Sequence, residues 1–173
     1  MQEIYINEAR LKKIRLDKEI ISKIEHRTGS HINIDGGEGI IIENNDAYKE
    51  FLTSNIINAF GRGFEIDDAL LLLNEDYYFS YIDLRQMFSS DGRISQIKSR
   101  IIGTAGKSKR YIQSVSGVKM SVYGHTIGFI GMTDQIEEAQ AAVHTIIEGG
   151  THKLAYQRME ASHRKHKDYM HIF

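Results

Sequence analysis

A chain of 173 residues is long enough for one ordinary domain or two small ones, and its 41% hydrophobic and 26% charged residues are typical of a soluble globular protein. The absence of cysteine excludes disulfides, thiolate metal sites and a cysteine nucleophile. No stretch approaches the ~20 apolar residues that a membrane span needs, and the first residues lack the pattern of a signal peptide. We therefore expect a cytoplasmic protein that is not held in a membrane.

The first half of the chain predicts three strands, near residues 2–6, 32–34 and 39–42, together with helices. The segment Gly61-Arg62-Gly63-Phe64 is expected to end a helix, and residues 67–73 to form another short one. Because this region contains no proline and few small polar residues, it does not have the composition of a flexible linker.

The second half predicts a strand around residues 77–84, and Ile94, Ile97 and Ile101 then fall on one face of a helix. A glycine-rich loop follows, and after it a helix over 107–115 that ends at Gly117. Two further strands lie near 120–122 and 127–130, joined by a turn at Gly124-His125. A long helix capped by Thr133 or Asp134 is expected to end at Gly149-Gly150.

The two halves resemble each other when the chain is shifted by 88 positions. The segment from Thr28 to Ile34 then falls on the segment from Ser116 to Val122, and the helix stop, strand, turn and helix start keep one order. A repeat of this length predicts two copies of one domain rather than a solenoid. We place these domains at residues 1–75 and 76–173.

Charge divides the two halves. Residues 1–91 carry 17 Asp and Glu against 10 Lys and Arg, whereas residues 92–173 carry 6 against 12. No acidic residue occurs between Asp91 and Asp134. A charge block of this kind is compatible with a solvated surface, but a basic half in a neutral protein favours a polyanion site, because Lys and Arg release counterions from phosphates.

The loop Gly103-Thr104-Ala105-Gly106 suits a phosphate chemically. Glycines let a backbone approach closely, and the helix that follows presents unpaired N–H groups and the positive end of its dipole. Lys107, Lys109 and Arg110 come directly after the loop and would add affinity without choosing a sequence.

In this context the sequence resembles a known family. The segment Ile101-Ile102-Gly103-Thr104-Ala105-Gly106-Lys107 is similar to the GxxG core of KH domains, which clamp about four single-stranded nucleotides. The segments 27–29, 59–64, 69–70, 82–84, 100–103 and 149–150 carry a closer resemblance to archaeal two-KH proteins of the partner-of-Nob (Dim-two) type. That resemblance implies an α+β fold of two tandem type I KH domains, each a three-stranded antiparallel sheet packed on three helices.

The same resemblance implies binding near the 3′ end of small-subunit ribosomal RNA during its maturation. It also implies partnership with the endonuclease that trims this end and with a translation initiation factor. The expected RNA contacts are the loop and the residues around it, with a strand alongside: Ile102, Gly103, Thr104, Ala105, Gly106, Lys107, Lys109, Arg110, Lys119 and Ser121. Backbone groups near Met120 and Ser121 would read base edges, and neither a cofactor, a metal nor a catalytic residue is expected.

The first copy departs from the motif. The 88-residue shift places Arg15-Leu16-Asp17-Lys18 opposite Gly103 to Gly106, so both glycines are missing and Asp17 would repel a phosphate. We expect a degenerate KH domain in residues 1–75, with a structural or protein-binding role, and RNA contact by Lys12, Lys13 and Arg15 at the domain junction stays open as an alternative. Residues 76–173 would form the KH domain that holds the RNA and carry a basic C-terminal tail.

Other functions stay open. The segment Ala105-Gly106-Lys107-Ser108 is similar to the end of a P-loop of a nucleotide-binding enzyme, but the first glycine of that motif is Ile101 here. His163 and His166 would share a helical face, yet structural zinc normally needs further ligands, and a basic helix over residues 158–167 that lies on RNA or solvent explains this segment better. The aromatic run 77–81 favours packing over base stacking, and His125 favours solvent over a base contact. A KH adaptor of another RNA-processing or RNA-degrading complex fits the loop equally well.

Overall fold

The computed structural model describes residues 1–34, 36–37 and 39–172. The chain forms two compact units, Met1–Glu75 and Asp76–Phe173, with Phe173 itself outside the described residues. Each unit combines helices with a three-stranded antiparallel sheet, which confirms the predicted α+β class. None of the described helices is both long enough and apolar enough to cross a membrane.

The first unit has strands β1 (Gln2–Tyr5), β2 (His31–Ile34) and β3 (Gly39–Glu43), in the sheet order β1-β3-β2. Its helices are α1 (Glu8–Leu16), α2 (Lys18–Thr28), α3 (Ala47–Gly61) and the short α4 (Ile66–Ala69), which continues into a 3-10 turn at Leu70–Leu73. Ile40 and Ile42 of the central strand are fully buried, so β3 carries the centre of this core.

The second unit repeats the plan with β4 (Tyr78–Asp83), β5 (Lys119–Tyr123) and β6 (Thr126–Gly131), in the order β4-β6-β5. Its helices are α5 (Asp91–Ile102), α6 (Lys107–Ser116), α7 (Thr133–Ile147) and α8 (His152–Met170). The predicted face of α5 is confirmed, because Ile94, Ile97 and Ile101 are all buried in the core with Phe129 of the central strand.

Local bonds repeat at the predicted shift of 88 residues. Gly29 and Gly117 both end a helix in the left-handed conformation, with φ of 71° and 84°. The hydroxyl of Thr28 donates to Ile24 O at 2.8 Å, and that of Ser116 donates to Ile112 O at 2.6 Å. The shift therefore describes the second helix and the strand after it in each unit.

The same shift fails at the connection between the first two helices. Arg15 and Leu16 belong to α1 and Lys18 begins α2, so Asp17 alone stands between these helices. In the second unit four residues, 103–106, separate α5 from α6. The ungapped alignment of Arg15–Lys18 with the loop was wrong, because the first copy has a shorter connection rather than a substituted one.

Three other expectations need correction. The basic C-terminal tail forms the helix α8, but this helix packs on the unit through the fully buried Ala155 and Met159, where a helix lying on RNA or solvent was expected, and it gives the unit a fourth helix. Met132 rather than Thr133 or Asp134 is the N-cap of α7, because its carbonyl oxygen accepts the first hydrogen bond of the helix, from Ile136 N at 2.9 Å. On β4, Tyr78 and Tyr81 are 56% and 44% exposed, so neither belongs to the core.

Candidate nucleic-acid interface

The loop between α5 and α6 has a backbone that few residues other than glycine can adopt. Gly103 has φ 76° and ψ 171°, a combination almost restricted to glycine. Ala105 (φ 51°) and Gly106 (φ 74°) are both left-handed, and Lys107 returns to the right-handed helix. Successive N–H groups in such alternating conformations form a concave nest that binds anions.

Close packing beneath the loop requires the first glycine for a second reason. A Cβ on Gly103 would lie 2.7 Å from Ser108 Cβ and 2.8 Å from its backbone nitrogen. Ser108 is itself buried, and its Oγ is the one buried side-chain polar atom without a hydrogen-bond partner in the described part of the chain. A hydroxyl at this place needs a water or ligand partner, which the sequence did not indicate.

The N-terminus of α6 carries no side-chain cap, because its N-cap residue is Gly106. In the first unit Asp17 caps α2, and its Oδ1 accepts a hydrogen bond from Glu19 N at 3.1 Å. A carboxylate of the protein therefore occupies the helix end in the first unit, whereas the corresponding end in the second unit stays open to an external anion.

The three predicted cations differ in how they are placed. Arg110 Nη1 donates to Ala105 O at 2.6 Å, so this side chain braces the left-handed loop. Lys107 is exposed and Lys109 half-buried, and neither forms an ion pair within the described residues. The two lysines are therefore the cations placed to neutralise a phosphate.

The strand beside α6 differs from what the sequence predicted. Met120 packs into the core, so the neighbouring Ser121 directs its side chain to the other face of the sheet, where it is buried. The Met120 N–H donates to Gln113 Oε1 at 2.9 Å. Lys119 is exposed at the start of β5. The structure thus does not bring the Ser121 side chain towards the loop, and Gln113 already occupies the N–H that a base was expected to meet.

The counterpart of Gln113, 88 residues earlier, is Glu25, and this difference changes the charge beside the edge strand. Glu25 Oε1 accepts a hydrogen bond from Ile32 N at 2.7 Å, the same bond with a carboxylate in place of an amide. The position beside β5 in the second unit is therefore neutral, whereas the matching position beside β2 in the first unit carries a carboxylate. The internal repeat carried this signal, and sequence reasoning missed it.

Helix α8 is fastened to α6 and α7 by polar contacts. The Tyr111 hydroxyl donates to Glu160, and this hydrogen bond raises the pKa of Tyr111 above its ordinary value of 10.0. His163 Nδ1 and His166 Nδ1 lie 2.9 and 3.0 Å from the two oxygens of Glu138, which is buried. The predicted shared face of the two histidines is confirmed, and a carboxylate of α7 occupies it.

Within the described residues, no group of three or more His, Asp or Glu side chains forms a metal site.

Comparison with known proteins gives the fold a family context. The family model described as the eukaryotic-type KH domain (KH domain type I), in its form for the second domain of PNO1, matches residues 78–164. A KH domain-containing protein of Methanocaldococcus jannaschii is 35% identical over 148 residues, which is 83% of this chain and 65% of that protein. The pre-rRNA-processing protein PNO1 of Chaetomium thermophilum is 28% identical over 110 residues, 61% of this chain and 42% of that protein. The chain thus spans less than two thirds of the length of these relatives.

Three solved structures have a similar fold over almost the whole chain. Dim2p from Pyrococcus horikoshii has a TM-score of 0.84 and 31% identity, with 92% of this chain and 98% of that chain covered. The a/eIF2alpha–aDim2p–rRNA complex from the same organism has a TM-score of 0.86 and 30% identity, with 95% and 94% covered. A protein of unknown function from Aeropyrum pernix has a TM-score of 0.93 and 25% identity, with 99% and 94% covered.

Proposed function

This chain belongs to the type I KH family, in its PNO1 and Dim2 branch, and on that premise we propose that it is an RNA-binding factor of ribosomal RNA processing. The observation that carries the proposal is the loop from Gly103 to Gly106, which joins a left-handed backbone nest to an uncapped helix N-terminus. Lys107 and Lys109 lie beside it without ion-pair partners among the described residues. This arrangement binds phosphate by geometry and by charge.

The ligand is a short unpaired stretch of RNA. The nest and the lysines hold the sugar-phosphate backbone, which positions the strand but does not read its sequence. Base edges are accessible in a single strand, whereas an A-form duplex hides them in a deep and narrow groove. The apolar side chain of Ile102, half-exposed at the end of α5, offers a surface for a base next to the loop.

The proposed target is the 3′ region of small-subunit ribosomal RNA during its maturation. An rRNA target is supported by the relative from Chaetomium thermophilum, a pre-rRNA-processing protein, and by the Pyrococcus structure of Dim2p in complex with rRNA and a/eIF2alpha. The 3′ region rests on the family resemblance alone. The same complex supports a translation initiation factor as a partner. An endonuclease that trims the RNA end is the second proposed partner, on the family resemblance alone.

The first unit takes no phosphate in this proposal and acts as a degenerate KH domain. Asp17 places a carboxylate at the only connection between α1 and α2, and Glu25 places another at the edge strand. Both positions correspond to neutral or open ones in the second unit. A phosphate that approached here would meet two negative charges, so residues 1–75 serve structure or protein binding.

Crosslinking in cells, followed by sequencing of the bound RNA, tests the target. A peak at the 3′ end of the small-subunit rRNA is the expected result, and it should disappear in a variant with Thr104→Asp and Ala105→Asp. A broad distribution over transcripts that still depends on the loop would replace the ribosomal target by a more general RNA adaptor. Crosslinks that are unchanged in the loop variant would refute the loop as the RNA site.

A further inference from the structure

Helix α8 carries a stripe of charged residues on the side that faces α6. Lys153, Glu160 and Lys167 follow one another at spacings of seven residues, close to two helical turns, and Arg164 lies between the last two at spacings of four and three. These residues therefore share one side of the helix. The Tyr111 hydroxyl donates to Glu160, so this side is the one that meets α6.

The three cations of this stripe, Lys153, Arg164 and Lys167, are exposed and have no acidic partner within the described residues. Neither carboxylate of α8 pairs with them there. Glu160 accepts the hydrogen bond from α6, and Asp168 forms no ion pair with the stripe in the described part of the chain. The stripe is therefore a local excess of positive charge that the protein does not use for its own packing.

The other side of α8 fixes the helix to the unit. Ala155 and Met159 are fully buried in the core. His163 Nδ1 and His166 Nδ1 lie 2.9 and 3.0 Å from the two oxygens of the buried Glu138 on α7. The backbone that carries the stripe is thus held in place before a ligand binds, which lowers the entropic cost of binding.

The stripe begins beside the loop from Gly103 to Gly106. His152, the first residue of α8, places its Nε2 2.7 Å from Arg100 O, and Arg100 stands three residues before the loop. On α6, Lys107 precedes Tyr111 by four residues and shares its face, which is the face towards α8. A strand held at the loop and leaving it past Lys107 therefore meets the start of α8.

The length of the stripe corresponds to several phosphates. Lys153 and Lys167 are about 21 Å apart along the helix axis, at ~1.5 Å per residue. A stacked strand advances ~3.4 Å per nucleotide, so the stripe spans about six nucleotides. A KH loop and its groove hold about four. Ammonium and guanidinium groups bind phosphates whatever the base sequence, so the stripe suits the backbone of a strand rather than a particular base.

We propose that the stripe on α8 binds the sugar-phosphate backbone of the RNA strand that leaves the loop, and this inference rests on the proposed function. The site for RNA then covers about ten nucleotides, four at the loop and about six along α8. This second contact adds affinity without sequence preference, because it acts through the release of counterions. Each phosphate contact contributes about 0.7 to the slope of log K against log salt for a single strand.

Fluorescence anisotropy with labelled RNA dodecamers and pentamers of randomised sequence tests the stripe. The variant with Arg164→Gln and Lys167→Gln removes two phosphate contacts. It should bind the dodecamers roughly 15-fold more weakly at about 0.15 M salt, with a salt slope shallower by about 1.4. Its affinity for the pentamers should change by less than about twofold, because the loop holds so short a strand without α8. Gln has nearly the helix propensity of Lys and Arg, so urea unfolding should stay the same.

Arg158→Gln combined with Lys165→Gln is the matched control, since it removes one Arg and one Lys from exposed positions on another side of the same helix. It should weaken dodecamer binding by less than about threefold, the effect of net charge alone. The proposal is overturned if the two variants weaken dodecamer binding equally, if neither weakens it, or if the stripe variant loses as much affinity for the pentamers as for the dodecamers.

The loop variant with Thr104→Asp and Ala105→Asp, measured in parallel, separates the two levels. Unchanged binding of both RNA lengths there refutes the proposed function. Lost binding there, with no effect of Arg164→Gln and Lys167→Gln, refutes the stripe alone.

Discussion

Replacing both Thr104 and Ala105 by Asp separates RNA binding from stability. Both side chains are exposed, so no packing is lost. Ala105 has φ 51°, a left-handed conformation that Asp tolerates better than Ala. The new carboxylates also stand at the N-terminus of α6, where a negative charge is favourable by about 0.3–1 kcal/mol. The free energy of unfolding should therefore stay the same or rise slightly.

RNA affinity should change in the opposite direction. A carboxylate about 5 Å from a phosphate charge costs about 0.8 kcal/mol in bulk water and about 2 kcal/mol at an effective dielectric constant of ~30. Two of them cost about 2–4 kcal/mol together, which corresponds to a roughly 30-fold to 1000-fold weaker Kd. The loss should shrink as salt is added, because screening acts on exposed charges.

Anisotropy titrations with one RNA at two salt concentrations, next to urea unfolding of the same samples, measure both quantities. The matched control carries Leu16→Asp and Thr133→Asp, which add the same two charges at exposed positions outside the loop. Its RNA affinity should fall by less than about threefold, the effect of net charge alone. Equal losses in the two variants would refute the loop as the binding site, and a large loss of stability in the loop variant would refute the conformational reasoning.

Three further changes test other parts of the structure. Lys109→Ala should weaken all RNAs alike and reduce the slope of log K against log salt by about one unit for one lost phosphate contact; a sequence-dependent effect would contradict this role. Gly103→Ala should destabilise the unit by more than about 2 kcal/mol in urea unfolding, because its Cβ would lie 2.7 Å from Ser108 Cβ in a backbone conformation reserved for glycine; a variant as stable as the native chain would contradict it. The hydrogen bond from Lys13 lowers the pKa of Glu65 below its ordinary value of 4.5, so this carboxylate contributes stability above pH ~4.5 and loses it as the pH falls. Glu65→Gln should therefore cost less than about 1 kcal/mol at pH 7, as expected for an exposed pair, and nothing near pH 3; a difference that grows in acid would refute the assignment.

Much of the fold could be read from short-range patterns. The period of Ile94, Ile97 and Ile101 predicted α5, and Gly117 predicted the end of α6, because both signals lie within a few residues of the structure they determine. The basic tail was predicted to be a helix lying on RNA or solvent, and its packing on the unit was missed. Its buried residues, Ala155 and Met159, are few and stand among charged ones, so the periodic signal was too weak to show a packed helix.

What the sequence by itself determined is the loop from Gly103 to Gly106 and its surroundings: two glycines between helices, followed by cations, in the half of the chain with no acidic residue from 92 to 133. These are properties of neighbouring residues, and backbone sterics translate them directly into the left-handed loop that we propose as the phosphate site.

Only the tertiary structure decided which side chains near this loop can contact a ligand. Arg110 turns back onto Ala105 O, Ser121 faces away from the loop, and Gln113 occupies the N–H of Met120. His125 Nδ1 lies 2.6 Å from Asp83 Oδ1, a partner 42 residues away in the chain. Contacts over such separations depend on how helices and sheet pack, and no local pattern of residue types encodes them.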